Sequence, residues 1–416
     1  MLQIVCGQDA DFINDEIKKF NLIDSDKRFS KRDNKYKLDF VGFCIENNKM
    51  LAVFPKHYFD ETNINELTRL EIEKNVELLF KVICKYNREN NSKLKATKYI
   101  GYENDFISDY PFDDFYDVYE YYRKYGIYKE DETKLEISTK GKISWKDTIQ
   151  KSNVLVSNKN LIFLPIYSKV KNSKNVFISE CMTFVINHTI RTFNCFLKLP
   201  LITKKESKFN FLANREYTLR ELYQYKNTIF KDNEKSLINS LINFFEKYDK
   251  QCHSGNIHFK INYFDRIWER MVNKYLNDCF IKVDSENNKL LFESKKSKNV
   301  KKFRDKTFND IDISENHYSI RPDHFLQEND NIYIFDSKYY EDMNELNYKQ
   351  FTYTLLLGNS QLGKDKNIYS ALLLPGIQKD KLHIKLNIPY CQMKPGCNFI
   401  IEQYLNVKLL MENYLN

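Results

Sequence analysis

The chain is short of glycine and proline, with 10 and 8 in 416 residues. That scarcity excludes long flexible linkers and collagen-like or low-complexity architecture. It also lacks any CxxC pair. Its nine cysteines are scattered and odd in number, which excludes a disulfide framework and reads as reduced thiols in a cytoplasmic protein. No apolar run approaches the roughly 18–20 residues of a membrane span, and Met1-Leu2-Gln3 does not open an export signal, so no membrane partner is expected. A phosphate loop of the GxxxxGK[ST] kind is missing too, so the chain itself is not expected to bind or hydrolyse a nucleotide.

What is present is the composition of a folded protein, 42% hydrophobic and 15% aromatic. Its length calls for two or three domains. We expect an N-terminal α+β domain over 1–130, a middle, largely helical domain over 131–250, and a third domain over 251–416. The net charge of +8, from 65 basic against 57 acidic residues, permits a nucleic-acid partner without demonstrating one. From Phe40 to Tyr58, two apolar runs around Glu46-Asn47-Asn48-Lys49 predict a β-hairpin. Helical spacing follows from Ile64 to Tyr86 and again around Glu234 to Tyr248. The stretch DYPFDDFYDVYEYYRKYG could grip a partner with its aromatic side chains, but at helical spacing such residues more often form core.

The chemistry concentrates near the C-terminus. NYFDRIWERMVNKYL, from Asn262, places Phe264, Ile267, Trp268, Met271, Val272 and Tyr275 on one helical face, flanked by Asp265 and Glu269. Further on stands RPDHFLQENDNIYIFDSKYY. Ile332 to Phe335 specify a buried strand, and the period of two puts Asp336 and Lys338 on the same side. Asp323 enters that side from the neighbouring strand if Asn329 to Asn331 makes the turn. NELNYKQFTYTLLLG returns as a helix and NIYSALLLPG as another strand. Two carboxylates so placed can share a divalent cation, Mg²⁺ by preference and Mn²⁺ as substitute, while the lysine orients the nucleophile or steadies the transition state of phosphodiester hydrolysis.

RPD followed by DSK resembles the bipartite motif of the PD-(D/E)xK nucleases. The Tyr339-Tyr340 pair and Lys349-Gln350-x-x-Tyr353 are similar to McrC and, more closely, to LlaJI-type restriction endonucleases, as are GKISWKDTI and the hairpin ending in Phe54-Pro55-Lys56. The resemblance implies an α/β, overall α+β, fold. Its C-terminal restriction-endonuclease-like core has a mixed central sheet flanked by helices. It also implies Asp323 and Asp336 as metal ligands, Lys338 as the catalytic lysine, and a helix carboxylate completing the set. Glu269, within Ile-Trp-Glu, fits that role, and Asp265 is the alternative. Gln350 matches the polar helix position that faces the metal or phosphate, and Arg321 contacts the phosphate or structures the turn. The implied partners are double-stranded DNA, a separate McrB-like AAA+ GTPase, and a second copy joined through the nuclease domain on DNA.

Blander readings stand beside these. An acid and a lysine two apart arise by accident in a chain with 29% charged residues. Arg321 could simply pair with Asp323. The basic run Lys295–Lys306 binds phosphates or is a solvated loop. Cys252-His253 and His258 suggest zinc superficially but lack a fourth ligand, and Cys391 and Cys397 are a poor complement. A stand-alone nuclease of repair or transposition, and a non-catalytic adaptor for DNA and a GTPase, are the functional alternatives.

Overall fold

Asn47 and Asn48, with φ of 48° and 62°, close the predicted hairpin between Val41–Glu46 and Lys49–Phe54. Two successive left-handed residues match the strand twist, and asparagine tolerates that conformation. The computed structural model describes residues 3–59, 64–94, 106–140, 142–157, 160–174, 176–194, 196–203, 207–248, 257–293, 296, 300–312, 314, 317–341, 343–387 and 398–416.

The chain forms two compact units, one of Met1–Tyr110 with Lys250–Asn416 and one of Pro111–Asp249. The division differs from three consecutive domains because the hairpin is completed from far along the chain. Ile257–Ile261 pairs antiparallel with Val41–Glu46, inside a five-stranded sheet that also contains Gln3–Gln8 and Phe106–Ser108. Gly42 permits this pairing: its φ is 141°, and a Cβ there would lie 2.2 Å from the Phe259 carbonyl oxygen. The first and third expected regions therefore share a core.

The second sheet of this unit is mixed, as expected. Asn331–Ser337, Asn367–Pro375 and Phe399–Leu405 run parallel, with His324–Glu328 and Lys381–Lys385 antiparallel at the edges. Ile332, Ile334 and Ile368 pack with Tyr353 and Leu357 of the helix Tyr348–Gly358. The helix Asp265–Cys279 buries Ile267, Trp268, Met271, Val272 and Leu276, as its sequence pattern predicts. The Trp268 indole donates to the Leu373 carbonyl at 3.3 Å, and the Lys338 main-chain N–H donates to the same oxygen at 2.9 Å. Helix and strand end are thereby held on one backbone atom. The predicted helix from Ile64 runs instead from Arg69 to Leu94.

The other unit has the helices Phe112–Tyr125, Phe177–Thr192, Arg215–Thr228 and Asp232–Lys247. It also has a three-stranded antiparallel sheet of Glu130–Ile137, Tyr167–Lys174 and Lys142–Ile143, so it is less purely helical than expected. Phe112, Phe115, Val118 and Tyr119 are buried, so the acidic aromatic stretch is core on this face. Among the described residues, no helix is long and apolar enough to cross a membrane.

Candidate active site

The turn Asn329-Asp330, with Asn329 at φ 53°, folds His324–Glu328 back on Asn331–Ser337. Asp323 stands just before the first of these strands and Asp336 near the end of the second, and the turn brings them together. Asp323 Oδ2 accepts from the Ser337 main-chain N–H at 3.0 Å. Asp336 is completely buried and makes a close ion pair with the Lys338 ammonium through Oδ2. Neither Asp336 oxygen has an aligned hydrogen-bond donor. Burial pushes its carboxyl up to about 6, and the neighbouring Asp323 adds to the rise, while Lys338 and Lys349 oppose it. A buried carboxylate beside another, with oxygens left over, is suited to accept a cation.

Three residues that the motif reading assigned no role support this pair. His324 is fully buried, its Nδ1 3.2 Å from the Asn273 amide nitrogen and its Nε2 2.7 Å from Ser337 Oγ. The amide donates to Nδ1, so Nε2–H donates to the serine. Burial lowers the imidazole to about 4, so it stays neutral. Asn273 lies on the helix Asp265–Cys279, so this helix, His324 and Ser337 form a chain that steadies the backbone donor held by Asp323. Only their position beside the acids in sequence hinted at His324 and Ser337. Asn273 gave no signal.

Glu269 is exposed to solvent, yet the protein mass around its carboxyl raises its pKa by desolvation, and it senses the charge of Asp336. Asp265 instead acts on Tyr339. Among the described residues, no three His, Cys, Asp or Glu side chains are gathered as a metal cluster. Asp323 and Asp336 meet, and Glu269 stands back from them.

Gln350 is buried, and its amide nitrogen donates to the Ile334 carbonyl and to Ser370 Oγ, both at 2.6 Å. Its two N–H donors are thus spent bolting the helix to the sheet, and only the buried, unpartnered Oε1 is left for a ligand. The helix start is held from the other side as well. Asn347 caps it by accepting from the Gln350 N–H, and its own N–H donates to His383 Nε2 at 2.9 Å. His383 Nδ1 in turn lies 2.7 Å from buried Glu402. Lys349, fixed between these anchors, puts its ammonium 3.5 Å from Asp336 Oδ1 and 3.9 Å from Asp323 Oδ1.

Arg321 pairs with Asp305 rather than Asp323. In the basic segment, Lys296 pairs with Asp278, Lys301 with Glu328, and Lys306 lies over the rings of Phe308 and Phe325. These three cations tie the segment down. Lys295 and Lys298 lie outside the described residues, as do Cys252, His253, Cys391 and Cys397 of the zinc reading. His258 is engaged by Asp109 at 2.7 Å.

Two facing carboxylates and a lysine at the end of a strand, in a mixed sheet flanked by helices, define a nuclease-like α+β core. The model of the LlaJI restriction endonuclease family matches residues 40–382, most of the chain. The chain belongs to that family. No curated protein matches it. Among solved structures it is similar to a chain of the refined half-complex from the tetradecameric assembly of Thermococcus gammatolerans McrB AAA+ hexamers with bound McrC. The identity is 12%, with 99% of this chain and 98% of that chain covered and a TM-score of 0.37, a likeness too loose to carry any residue across.

Proposed function

We propose that the chain is a metal-dependent DNA endonuclease, the cutting subunit of a restriction system that acts in antiviral defence. The observation that carries this reading is the buried Asp336 carboxylate, facing Asp323 and paired with Lys338, with oxygens that no hydrogen-bond donor satisfies. Asp323 and Asp336 would hold Mg²⁺, or Mn²⁺ in its place, with Glu269 the third carboxylate available. The bound ion would supply charge neutralisation at the phosphate and a lowered pKa for water. The Lys338 ammonium would present positive charge where negative charge develops on the phosphorane. The Asn273–His324–Ser337 chain fixes the orientation of Asp323. Hydrolysis leaves a 5′-phosphate and a 3′-hydroxyl.

The same reading includes a separate McrB-like AAA+ GTPase, in keeping with the motif resemblance. A docking face for it is available on the hairpin Asn153–Ser157 and Asn160–Leu164. There Val154, Leu155, Val156, Leu161, Ile162 and Leu164 are exposed, and Trp145 and Ile149 of the short preceding helix Trp145–Lys151 are exposed as well. So many apolar side chains left in water on a short ribbon mark an interaction surface. Pairing of two nuclease units on DNA would account for double-strand cuts.

The test is cleavage of duplex plasmid by the purified chain with Mg²⁺, with and without GTP and the GTPase. The wild type should cut and Asp336→Asn should bind DNA without cutting. Equal cutting by both would sink the assignment. Cutting that ignores GTP and the partner would point to a stand-alone nuclease.

A further inference from the structure

Lys349 sits where a helix would not choose to put a cation. It is the second residue of Tyr348–Gly358, at the positive end of the helix dipole, and no acid in that first turn compensates it. What compensates it is the acid pair. Each carboxylate has one oxygen already engaged: Asp323 Oδ2 by the Ser337 N–H, and Asp336 Oδ2 by Lys338. The other two oxygens, Asp323 Oδ1 and Asp336 Oδ1, are the ones that face the Lys349 ammonium, at 3.9 and 3.5 Å. Those separations are ion-pair contacts, too long for good hydrogen bonds. The Lys349 side chain is 49% exposed, whereas that of Lys338 is 11% exposed. One ammonium is locked in and the other can leave.

Two carboxylates and two ammoniums already sum to zero. A divalent cation added to that set leaves a local excess of positive charge unless one ammonium withdraws or an anion arrives. We propose that Lys349 is an internal counter-cation of the site. It occupies the two free carboxylate oxygens while DNA is absent and transfers to the DNA phosphate when a metal ion takes its place. Metal and DNA then bind cooperatively, so the carboxylates are not loaded for hydrolysis until a phosphodiester is present. The anchors Gln350 and Asn347 keep the helix still, and only the lysine side chain has to move.

This rests on the nuclease reading, and the test separates the two. Calcium binding to the full chain is measured by titration calorimetry without DNA, for wild type, Lys349→Met, Lys349→Arg and Asp336→Asn. Removing a competing charge at this range should tighten Ca²⁺ binding by Lys349→Met about tenfold, with Lys349→Arg close to wild type. Adding a DNA duplex should tighten Ca²⁺ binding by the wild type and erase most of its difference from Lys349→Met. A merely structural lysine would weaken metal binding when lost. Equal or weaker binding by Lys349→Met, with Asp336→Asn still abolishing binding, would overturn the counter-cation and leave the nuclease reading standing. No Ca²⁺ binding by any variant, with or without DNA, would overturn both.

Discussion

Two buried acid–lysine pairs, one in each sheet of the larger unit, differ in a way that separates support from chemistry. In the N-terminal sheet, Lys260 and Asp26 are 1% and 0% exposed at the side chain, and the ammonium reaches both carboxylate oxygens at 2.7 and 2.8 Å. Asp26 Oδ2 also accepts from the Ile23 N–H. The pair is sealed. In the C-terminal sheet, Asp336 is equally buried, but it faces a second carboxylate, lacks aligned donors and has a half-exposed lysine at its mouth. A charge that is closed on all sides holds a fold together. One left partly unsatisfied beside an opening is prepared for something that arrives later.

Activity separates the two pairs by the largest margin. Losing a second-shell partner of a metal ligand typically costs 10- to 100-fold, so Asp336→Asn should lower Mg²⁺-dependent cleavage by at least about a hundredfold with the circular dichroism unchanged. Asp26→Asn should do the reverse. It strands a buried ammonium, so urea denaturation should show a loss of about 3–5 kcal/mol, while any folded fraction still cuts.

Stability measured against pH in the presence of chelator separates them further. The Asp336 carboxyl is raised from 3.8 to about 6 by burial and by Asp323. Between those values the unfolded chain has lost its proton and the folded chain keeps it, so wild-type stability falls as pH rises from about 4 to about 6 and then levels. Asp336→Asn removes that loss. The variant should therefore gain on the wild type across this window, by on the order of 2 to 3 kcal/mol at pH 7. Asp9, also raised to about 6, is common to both proteins and cancels in the difference. A difference curve flat from pH 4 to 7 would contradict the assignment.

Smaller effects test the supports. His383→Ala removes the acceptor for the Asn347 N–H and leaves Glu402 without its imidazole partner. It should cost about 1–3 kcal/mol in urea and slow cleavage more than it weakens DNA binding, because it loosens the helix start and not the carboxylates. The exposed pair of Arg321 with Asp305 should matter least, with Arg321→Ala costing less than about 1 kcal/mol.

Much of the site was legible because strand period and turn chemistry are local. Asp323, the asparagine turn, the apolar run and Asp336-Ser337-Lys338 lie within sixteen residues, and their arrangement follows from alternation and a left-handed Asn329. Lys349 stands in the quoted motif with no role of its own, and Asn273 is marked by nothing in the sequence. Their roles depend on the angle at which two helices cross the sheet, which no spacing encodes. The family resemblance implies that Gln350 faces the metal or phosphate, but two polar acceptors on the sheet capture its amide nitrogen. The expected three consecutive domains differ from the two observed units for a related reason: the strand Ile257–Ile261 looks like the start of a new region, and only pairing shows that it completes the first.

Local pattern alone determined the hairpins, the amphipathic helices and the acid–acid–lysine set, because each depends on residues within one or two turns or strands of one another. Tertiary structure decided which charges are shut off from solvent and which stay open, and which second lysine lies over the two carboxylates. The physical reason is that desolvation and ion pairing depend on burial and on distances between segments far apart in the chain.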